Sequence, residues 1–391
     1  MLGAIIGDIV GSIYEVEEIK AINTHPDKKR SYEERITILN NSTPLFISDC
    51  SYTDDTVLTT AIASSLLGKK SFEESLREYG LKEIELGKDK YGRSRFGKGF
   101  VSWLKKEKVG DSYGNGASMR ISPIAYFYDD LDVILSKTKE ATIPSHNHEE
   151  AILGAQAVNT AIYLSRNNYS KEEIKKELER RFNLDLNFNL EELQQNYRFS
   201  SRTSESVPQA IYCFLESTSF EDCLRKSISI GGDTDTIAAI SCSIAESFYG
   251  IPKEIEEKAL TYLPNNYKRI ITSFYSILNL KQQLLDLEIC HDEFWEYMRT
   301  RTKRISAPIE SGIWGTFFSK DESGKVTDIK ILVPEIIDEL TLLVNIHEYA
   351  HAYELFMQFG DNYTLNKKSS EDYAKSKEKE YLTKKKTYEQ S

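Results

Sequence analysis

The spacing of apolar residues before about residue 280 predicts a chain of helices. Apolar residues recur every three or four positions in "DDTVLTTAIASSLL" (54–67), "EEAILGAQAVNTAIYL" (149–164) and "VPQAIYCFLE" (207–216). The same spacing in "DTIAAISCSIAESFYG" (235–250) ends at a glycine, which favours a helix end. "SKEEIKKELERRF" (170–182) is typical of a solvated helix. No long strand pattern appears before about residue 300, so the first part is predicted to be all-α.

The pattern changes after about residue 280. "GIWGTFF" (312–318) and "VTDIKILV" (326–333) are β-rich, and the polar segment between them is turn-like, so the pair predicts a hairpin. A helix is predicted to follow from about Glu335 to Phe359, and a charged helical tail after it. We therefore predict a mainly α protein, with an all-α domain at 1–280 and a small α+β domain at 285–391.

Composition and charge narrow the classes of function. The net charge of −11 argues against general nucleic-acid or anionic-membrane binding, and no apolar run approaches the 18 residues of a membrane span. The five cysteines are scattered and form no CxxC, so neither a disulfide framework nor a zinc–thiolate site is indicated. The expected location is the cytoplasm.

Two clusters of acids and threonines stand at predicted helix starts. "YTDDTV" (52–57) and "GGDTDTI" (231–237) each supply more polar side chains than one helix cap requires. Asp and Thr oxygens are hard donors that suit Mg²⁺ or Mn²⁺, and acids from two helix starts could hold two cations about 3.5–4 Å apart. Caps with ordinary loop acids remain the alternative to a metal site.

Five motifs occur in an order that resembles the ADP-ribosylglycohydrolase family. They are "GAIIGDIVGSIYE" (3–15), "YTDDTV", "YGNGASMRISP" (113–123), "SHNHEEAILGA" (145–155) and "GGDTDTIAAI" (231–240). The resemblance covers about residues 1–265. It implies an all-α bundle with a dinuclear Mg²⁺ or Mn²⁺ centre. It also implies an enzyme that cleaves the N- or O-glycosidic bond between ADP-ribose and a protein side chain or other acceptor.

The resemblance also implies roles for particular residues. Glu15 would lie over the metals and take part in acid–base catalysis. Without the resemblance, the alternative interpretation of Glu15 is an ordinary surface glutamate. Asp8 is expected to support helix or loop structure behind the ligands. The implied metal ligands are Thr53, Asp54, Asp55, Asp233, Asp235 and Thr236.

The segment around Asn115 is predicted to bind substrate. Its two glycines would let backbone N–H groups approach a phosphate. The alternative is an ordinary Asn-Gly turn without a role in binding. The family uses this loop against ADP-ribose. His146 is a candidate for the same pocket, His148 a weaker one, and either could be structural. The predicted substrate-binding residues are Gly114, Asn115, Gly116, Ser118, Met119 and His146.

The C-terminal part contains "HEYAH", the spacing of a zincin. His347 and His351 would bind Zn²⁺ from one helix face, and Glu348 would activate water as the catalytic residue. A third ligand is needed, for which the spacing of Glu371 resembles that of gluzincins and Glu378 is the rival. The alternatives are a zinc domain that only binds a protein partner and a coincidence of helical spacing.

These inferences predict a two-domain metalloenzyme. The first domain would remove ADP-ribose from a modified protein or other acceptor with two Mg²⁺ or Mn²⁺ ions. The second would be a zincin-like domain with one Zn²⁺ and an uncertain peptidase activity. A non-catalytic ADP-ribose- or toxin-binding immunity-type protein, or a hydrolase of a free ADP-ribose derivative, is the alternative. The sequence leaves open the acceptor, the choice of Mg²⁺ or Mn²⁺, and the oligomeric state.

Overall fold

The chain forms two compact units, residues 1–272 (unit 1) and 273–391 (unit 2), in a computed structural model. The division falls a few residues before the boundary predicted from composition. The structure describes residues 1–24, 30–68, 70–87, 94–106, 110–286, 304–307, 315–320, 326–334, 339–356 and 367–388.

The regular secondary structure among the described residues of unit 1 consists of α-helices and two short 3-10 turns at Thr37–Leu39 and Asn115–Ala117, with two isolated β-bridges in the connecting loops. The mainly helical prediction is therefore confirmed. The last helix of the series, α15, continues past residue 272. The helices are α1 Leu2–Thr24, α2 Tyr32–Ile36, α3 Asp54–Leu67, α4 Phe72–Leu86, α5 Lys98–Leu104, α6 Ser122–Phe127, α7 Leu131–Thr142, α8 Glu149–Arg166, α9 Lys171–Phe182, α10 Leu190–Asn196, α11 Thr203–Leu215, α12 Phe220–Ser229, α13 Thr234–Tyr249, α14 Lys253–Leu260 and α15 Asn265–Asp286.

Helix α1 lies in the core of unit 1 and packs along α13. Residues 1–13 are all buried, as expected for a helix that is apolar on every side. A Cβ at Gly3 would lie 2.2 Å from the Cys242 carbonyl oxygen, and one at Gly7 2.2 Å from that of Ala238. At Gly11 it would lie 2.6 Å from the Asp235 Cα. The spacing of four residues puts these glycines on one face, and it brings the two helix backbones into direct contact.

Beyond the end of α15, the described residues of unit 2 form a three-stranded sheet and two helices. The strands are β1 Arg304–Ala307, β2 Gly315–Lys320 and β3 Val326–Pro334, in the order β1-β3-β2. Strands β2 and β3 pair antiparallel where the sequence predicted a hairpin, whereas β1, which the pattern did not predict, pairs parallel to β3. Helix α16 (Glu339–Phe356) packs on β3 and against α17 (Lys367–Tyr388). This arrangement does not by itself show a zincin-like fold.

The described helices include none that combines the length and apolar character needed to cross a bilayer.

Candidate metal centre and ligand loop

Asp8 on α1 holds the start of α3. Its Oδ1 accepts a hydrogen bond from the Thr53 hydroxyl at 2.7 Å, and its Oδ2 accepts one from the Thr53 backbone N–H at 2.9 Å. The backbone N–H of Thr56, at 3.0 Å, and the Thr56 hydroxyl also donate to Oδ2. With the Thr53 hydroxyl proton directed at Asp8, the oxygen lone pairs remain for other partners. Asp8 therefore fixes the orientation of the Thr53 hydroxyl at the candidate site.

Helix capping accounts for only part of the two acid clusters. Thr53 caps α3, since its side chain accepts a bond from the Asp55 N–H at 3.4 Å. Asp233, in the same position before α13, makes no side-chain capping bond. Gly231 and Gly232 precede it with φ of 74° and 76°, a conformation that glycine adopts readily. The turn therefore places Asp233 at the site, and its carboxylate is not used to cap α13.

The clusters at α3 and α13 meet in space. The Asp55 Oδ2 lies 3.3 Å from the Thr53 hydroxyl and 3.4 Å from the Thr236 hydroxyl. The Thr53 hydroxyl is also 3.5 Å from the Asp235 Oδ2. Asp55 and Asp235 are 2% and 4% exposed. Two segments that are 181 residues apart in sequence therefore share one buried group of oxygens.

Asp235 belongs to two groups of carboxylates. Oxygens of Asp8, Asp55 and Asp235 lie within 4.8 Å of one another, and so do oxygens of Glu15, Asp233 and Asp235. Glu15 is only half-buried, whereas the other four are buried. Asp235 is therefore the carboxylate common to both groups.

Burial and mutual repulsion raise the pKa values of these carboxyls. Loss of solvation is the larger cause, and the charge of Asp235 the next, in raising the pKa of Asp54 to about 8 and that of Asp8 to about 7. The same two causes raise the pKa values of Asp55 and Asp233 well above their usual range. A bound cation would act in the opposite direction, because it stabilises the ionised carboxylate.

The donor set fits hard divalent cations. Carboxylate and hydroxyl oxygens are the ligands that Mg²⁺ and Mn²⁺ prefer. The Asp55 Oδ1 is buried and has no hydrogen-bond partner among the described residues. Because a buried charged oxygen without a partner is costly, a cation at this atom would remove a defect that the protein alone leaves. Of the predicted ligands, Thr53, Asp55, Asp235 and Thr236 come together directly, and Asp233 joins them through Asp235.

The loop predicted to bind substrate contacts the acid cluster. The Asn115 side-chain amide donates to the Asp233 Oδ2 at 2.8 Å. The backbone N–H of Asn115 donates to the Ser201 carbonyl at 2.8 Å, and that of Gly114 to the Ser112 hydroxyl at 3.1 Å. Both N–H groups are therefore already bonded within the protein. The prediction that Gly114 and Gly116 let backbone N–H groups of this loop approach a phosphate stays a prediction.

The other predicted ligand-binding residues have different surroundings. The Met119 sulfur lies 3.7 Å from the Thr236 hydroxyl, next to the acid cluster. Ser118 is 1% exposed and lies under the loop, with its Oγ 3.2 Å from a Cβ position at Gly154. His148 is exposed and caps α8, because its Nδ1 accepts from the Glu150 N–H at 3.2 Å.

His347 and His351 face each other on α16 in unit 2. The Nε2 atoms of His347 and His351 are 3.0 Å apart. The Nδ1 of His347 is 2.6 Å from the Oε1 of Glu378 on α17. The Glu348 carboxylate accepts a hydrogen bond from the Thr316 hydroxyl of β2 at 2.9 Å. The side chain of Glu371, the predicted third ligand, lies outside the described residues.

Comparison with known proteins agrees with the motifs of unit 1. The profile of the ADP-ribosylglycohydrolase family matches residues 1–291. ADP-ribosylhydrolase ARH3 of Homo sapiens is 28% identical over 324 residues, covering 64% of this chain and 84% of that protein; the Mus musculus protein is 27% identical over 315 residues, covering 64% and 83%. The uncharacterized protein YegU of Escherichia coli is 24% identical over 251 residues, covering 54% and 75%.

A solved structure described as an ADP-ribosylglycohydrolase-related protein complex aligns with a TM-score of 0.45 at 19% identity, over 67% of this chain and 97% of that one. The family profile covers most of the chain, so the chain belongs to the ADP-ribosylglycohydrolase family. That match ends at residue 291, so it does not show a zincin-like domain in unit 2.

Proposed function

We propose that unit 1 is a divalent-metal-dependent hydrolase that releases ADP-ribose from a modified protein or another acceptor. The mammalian relatives carry the name of ADP-ribosyl hydrolases, and this chain shares the family. The observation that carries the proposal is the pair of carboxylate groups joined by Asp235, with Glu15 at the more exposed side. We propose two Mg²⁺ or Mn²⁺ ions, held by Thr53, Asp54, Asp55, Asp233, Asp235 and Thr236.

The residues at this centre have separable tasks in the proposed reaction. When bound, the cation pair would orient ribose hydroxyls and a water molecule and offset negative charge. Asp8 fixes the hydroxyl rotor of Thr53, and Asn115 fixes the carboxylate of Asp233. Glu15 would accept a proton from water as the water oxygen bonds to C1″ of the ribose. The acceptor would leave as its bond to C1″ breaks, and it would take up the proton that Glu15 received from water, which returns Glu15 to its ionised form.

Two alternatives use the same site, one without hydrolysis and one with a different substrate. A binding protein for ADP-ribose or for an ADP-ribosylating toxin would need the ligand loop and would not need Glu15. A hydrolase of a free ADP-ribose derivative would need both. The close fit of Asp55, Asp235 and Thr236 favours turnover, because a binding protein has no need for a cluster of mutually repelling buried acids.

The test measures release of ADP-ribose from a panel of acceptors modified at arginine, serine, nucleic-acid bases and small molecules. Release should require Mg²⁺ or Mn²⁺ and stop in EDTA. Asp235→Asn should lower the rate at least about a hundredfold and abolish metal binding, because Asp235 belongs to both carboxylate groups. Asp132→Asn, the same change at an exposed position in α7, is the matched control. Wild-type release by Asp235→Asn in EDTA would refute the proposal.

A second proposal concerns zinc in unit 2. Two nitrogens bound tetrahedrally to Zn²⁺ at 2.0–2.1 Å lie about 3.3 Å apart, close to the 3.0 Å between the Nε2 atoms of His347 and His351. Glu378 contacts the other ring nitrogen of His347, as carboxylates do that support a ligating histidine. Both features favour a metal between the two rings, with Glu378 behind His347.

This geometry bears on the third ligand and on catalysis. Glu378 already binds Nδ1 of His347, so Glu371 is the better candidate for direct ligation. Glu348 is bonded to Thr316 and is 8% exposed, so it must break that bond to act on a water molecule. We therefore propose a zinc site whose role is to stabilise unit 2 or to bind a protein partner. Peptidase activity is the alternative that the Glu348 contact favours less.

Metal analysis of the full-length protein tests the zinc proposal. After removal of metals and reloading with Zn²⁺, His347→Gln should hold one zinc ion fewer than wild type. His148→Gln, at an exposed histidine of unit 1, should hold the wild-type amount. Glu348→Gln should keep the zinc, and any cleavage of a peptide library by wild type should stop in this variant. Equal zinc contents in wild type and His347→Gln would contradict the proposal.

A further inference from the structure

Arg120 is a buried cation without a carboxylate bonded to it among the described residues. It is 0% exposed, and its Nη2 donates to the Ser145 hydroxyl at 2.7 Å and to the Ala141 carbonyl at 3.4 Å. Its Nε and Nη1 have no partner in the described part of the chain. Burial lowers the pKa of Arg120 to about 9, against the opposing charge of Asp54, so the group stays charged at neutral pH. A buried charge bonded this poorly is costly and calls for a reason beyond packing.

Ser145 connects this cation to His146. The Ser145 Oγ lies 2.7 Å from the His146 Nδ1. Arginine can only donate, so the serine oxygen accepts from Arg120 and keeps one proton to donate. The Nδ1 of His146 is the acceptor available to that proton among the described residues. If Nδ1 also carried a proton, the buried hydroxyl proton would lack an acceptor, which is unfavourable.

The opposite ring nitrogen faces the ligand loop. The Nε2 of His146 lies 3.1 Å from a Cβ position at Gly116, and it makes no hydrogen bond to any described residue. Burial, and then the charge of Arg120, lower the pKa of His146 well below its usual value, so the ring is neutral and has one proton. With Nδ1 accepting, that proton is on Nε2 and points toward the loop.

We propose that Arg120 and Ser145 are positioning residues that hold His146 as the Nε2–H tautomer, so that it donates to an oxygen of the ADP-ribosyl ligand beside Gly116. The ligand class rests on the proposed function, whereas the tautomer does not. The absence of a side chain at Gly116 keeps the approach to Nε2 open. His146 would thus recognise an oxygen acceptor without adding a second positive charge near the metal centre.

The ring-nitrogen resonances of His146 test the tautomer in the ligand-free protein. The chain has six histidines, and His146→Gln identifies the resonances by their loss. Wild type should show a protonated Nε2 and an unprotonated Nδ1. Ser145→Ala should give a mixture of the two tautomers, and Ser145→Thr, which keeps the hydroxyl, should restore the wild-type pattern. A wild-type proton on Nδ1, or an unchanged pattern in Ser145→Ala, would overturn the proposal.

ADP-ribose binding tests the consequence. Ser145→Ala should raise the Kd for ADP-ribose about 5- to 10-fold, the effect of one hydrogen bond. Gly116→Ala should raise it similarly while leaving the His146 resonances as in wild type, because the methyl group obstructs Nε2 and does not touch Ser145. Wild-type Kd values in both variants would overturn the donor role. Loss of hydrolysis alone, with normal tautomer and Kd results, would instead count against the proposed reaction.

Discussion

Replacing Gly11 by alanine should distort the candidate metal centre, because it forces apart the two helices that carry its carboxylates. The new Cβ would lie 2.6 Å from the Asp235 Cα and from the Thr234 carbonyl oxygen, whereas ordinary contacts begin near 3.4 Å. Both atoms are backbone, so they cannot turn aside as a side chain could. Helix α1 must then move about 0.8 Å away from α13, the difference between those two distances. Overpacking of this kind costs about 1–3 kcal/mol of unfolding free energy.

The displacement also separates the carboxylates, because α1 carries Asp8 and Glu15 while α13 carries Asp235. Misplacement of catalytic groups by about 1 Å can cost about a hundredfold in rate. Gly3→Ala provides the comparison, since its Cβ would meet the Cys242 carbonyl oxygen at 2.2 Å but lies about 12 Å along the helix from Gly11. We expect Gly3→Ala to lose stability and Gly11→Ala to lose stability, metal affinity and rate together.

Denaturant unfolding, metal titration and ADP-ribose release would measure the three effects. Gly99→Ala is the control, because no atom lies within 4 Å of its Cβ position in α5 and the change should stabilise the protein by at most about 1 kcal/mol. Wild-type stability and metal affinity in Gly11→Ala would refute the contact between the two backbones. Equal losses of metal affinity in Gly3→Ala and Gly11→Ala would refute the link to the site.

Three further predictions concern Glu15, metal binding and the Glu150 ion pair. Glu15→Gln should lower kcat at least about a hundredfold with ADP-ribose affinity largely kept, and unchanged turnover would make Glu15 an ordinary surface acid. Mg²⁺ at a hundred times its Kd should raise the unfolding free energy by about 2.7 kcal/mol in a thermal or urea assay, and Asp235→Asn should abolish the gain. The pKa of Glu150 is lowered to about 2, because hydrogen bonds from Arg202 and the Ser204 N–H outweigh the raising effect of burial. Since this folded-state pKa lies below the usual 4.5, its stabilisation is complete above about pH 4.5 and declines as the pH falls toward 2. Urea unfolding of Glu150→Gln across that range should show a shallower pH dependence, and an unchanged one would contradict the ion pair.

Local signals identified the helices that begin at the acid clusters. The apolar spacing in "DDTVLTTAIASSLL" corresponds to α3, and Gly250 follows the last residue of α13 with a φ of 74°. The acid and threonine composition of both clusters pointed to a hard-metal site, because the donor chemistry depends on residue type alone. The helix starts are fixed by neighbours in sequence, so sequence reasoning could predict them, whereas the metal site stays a prediction.

Contacts between distant segments could not be predicted in this way. The glycines of α1 are spaced at four residues, but the sequence does not say that α13 is the helix they touch. Asn115 was assigned to substrate, whereas its amide binds Asp233 across 118 residues. Arg120 and Ser145 both lie within motifs quoted above, but they are 25 residues apart and nothing in either motif predicts the hydrogen bond between them. In unit 2 the sequence did not predict that Glu378 would contact the Nδ1 of His347, because the two residues lie on different helices.

The contact between α1 and α13 sets the order in which the protein can be completed during synthesis. The Thr234 hydroxyl donates to the Gly11 carbonyl at 3.0 Å across 223 residues. At 5–20 residues per second, a ribosome needs roughly 11–45 s to make the chain between them. During that time the apolar helix α1, with its row of glycines exposed, exists without α13, the helix that covers it in the folded protein. Such a segment is a natural client for a chaperone, and the acid cluster cannot assemble until α13 has emerged.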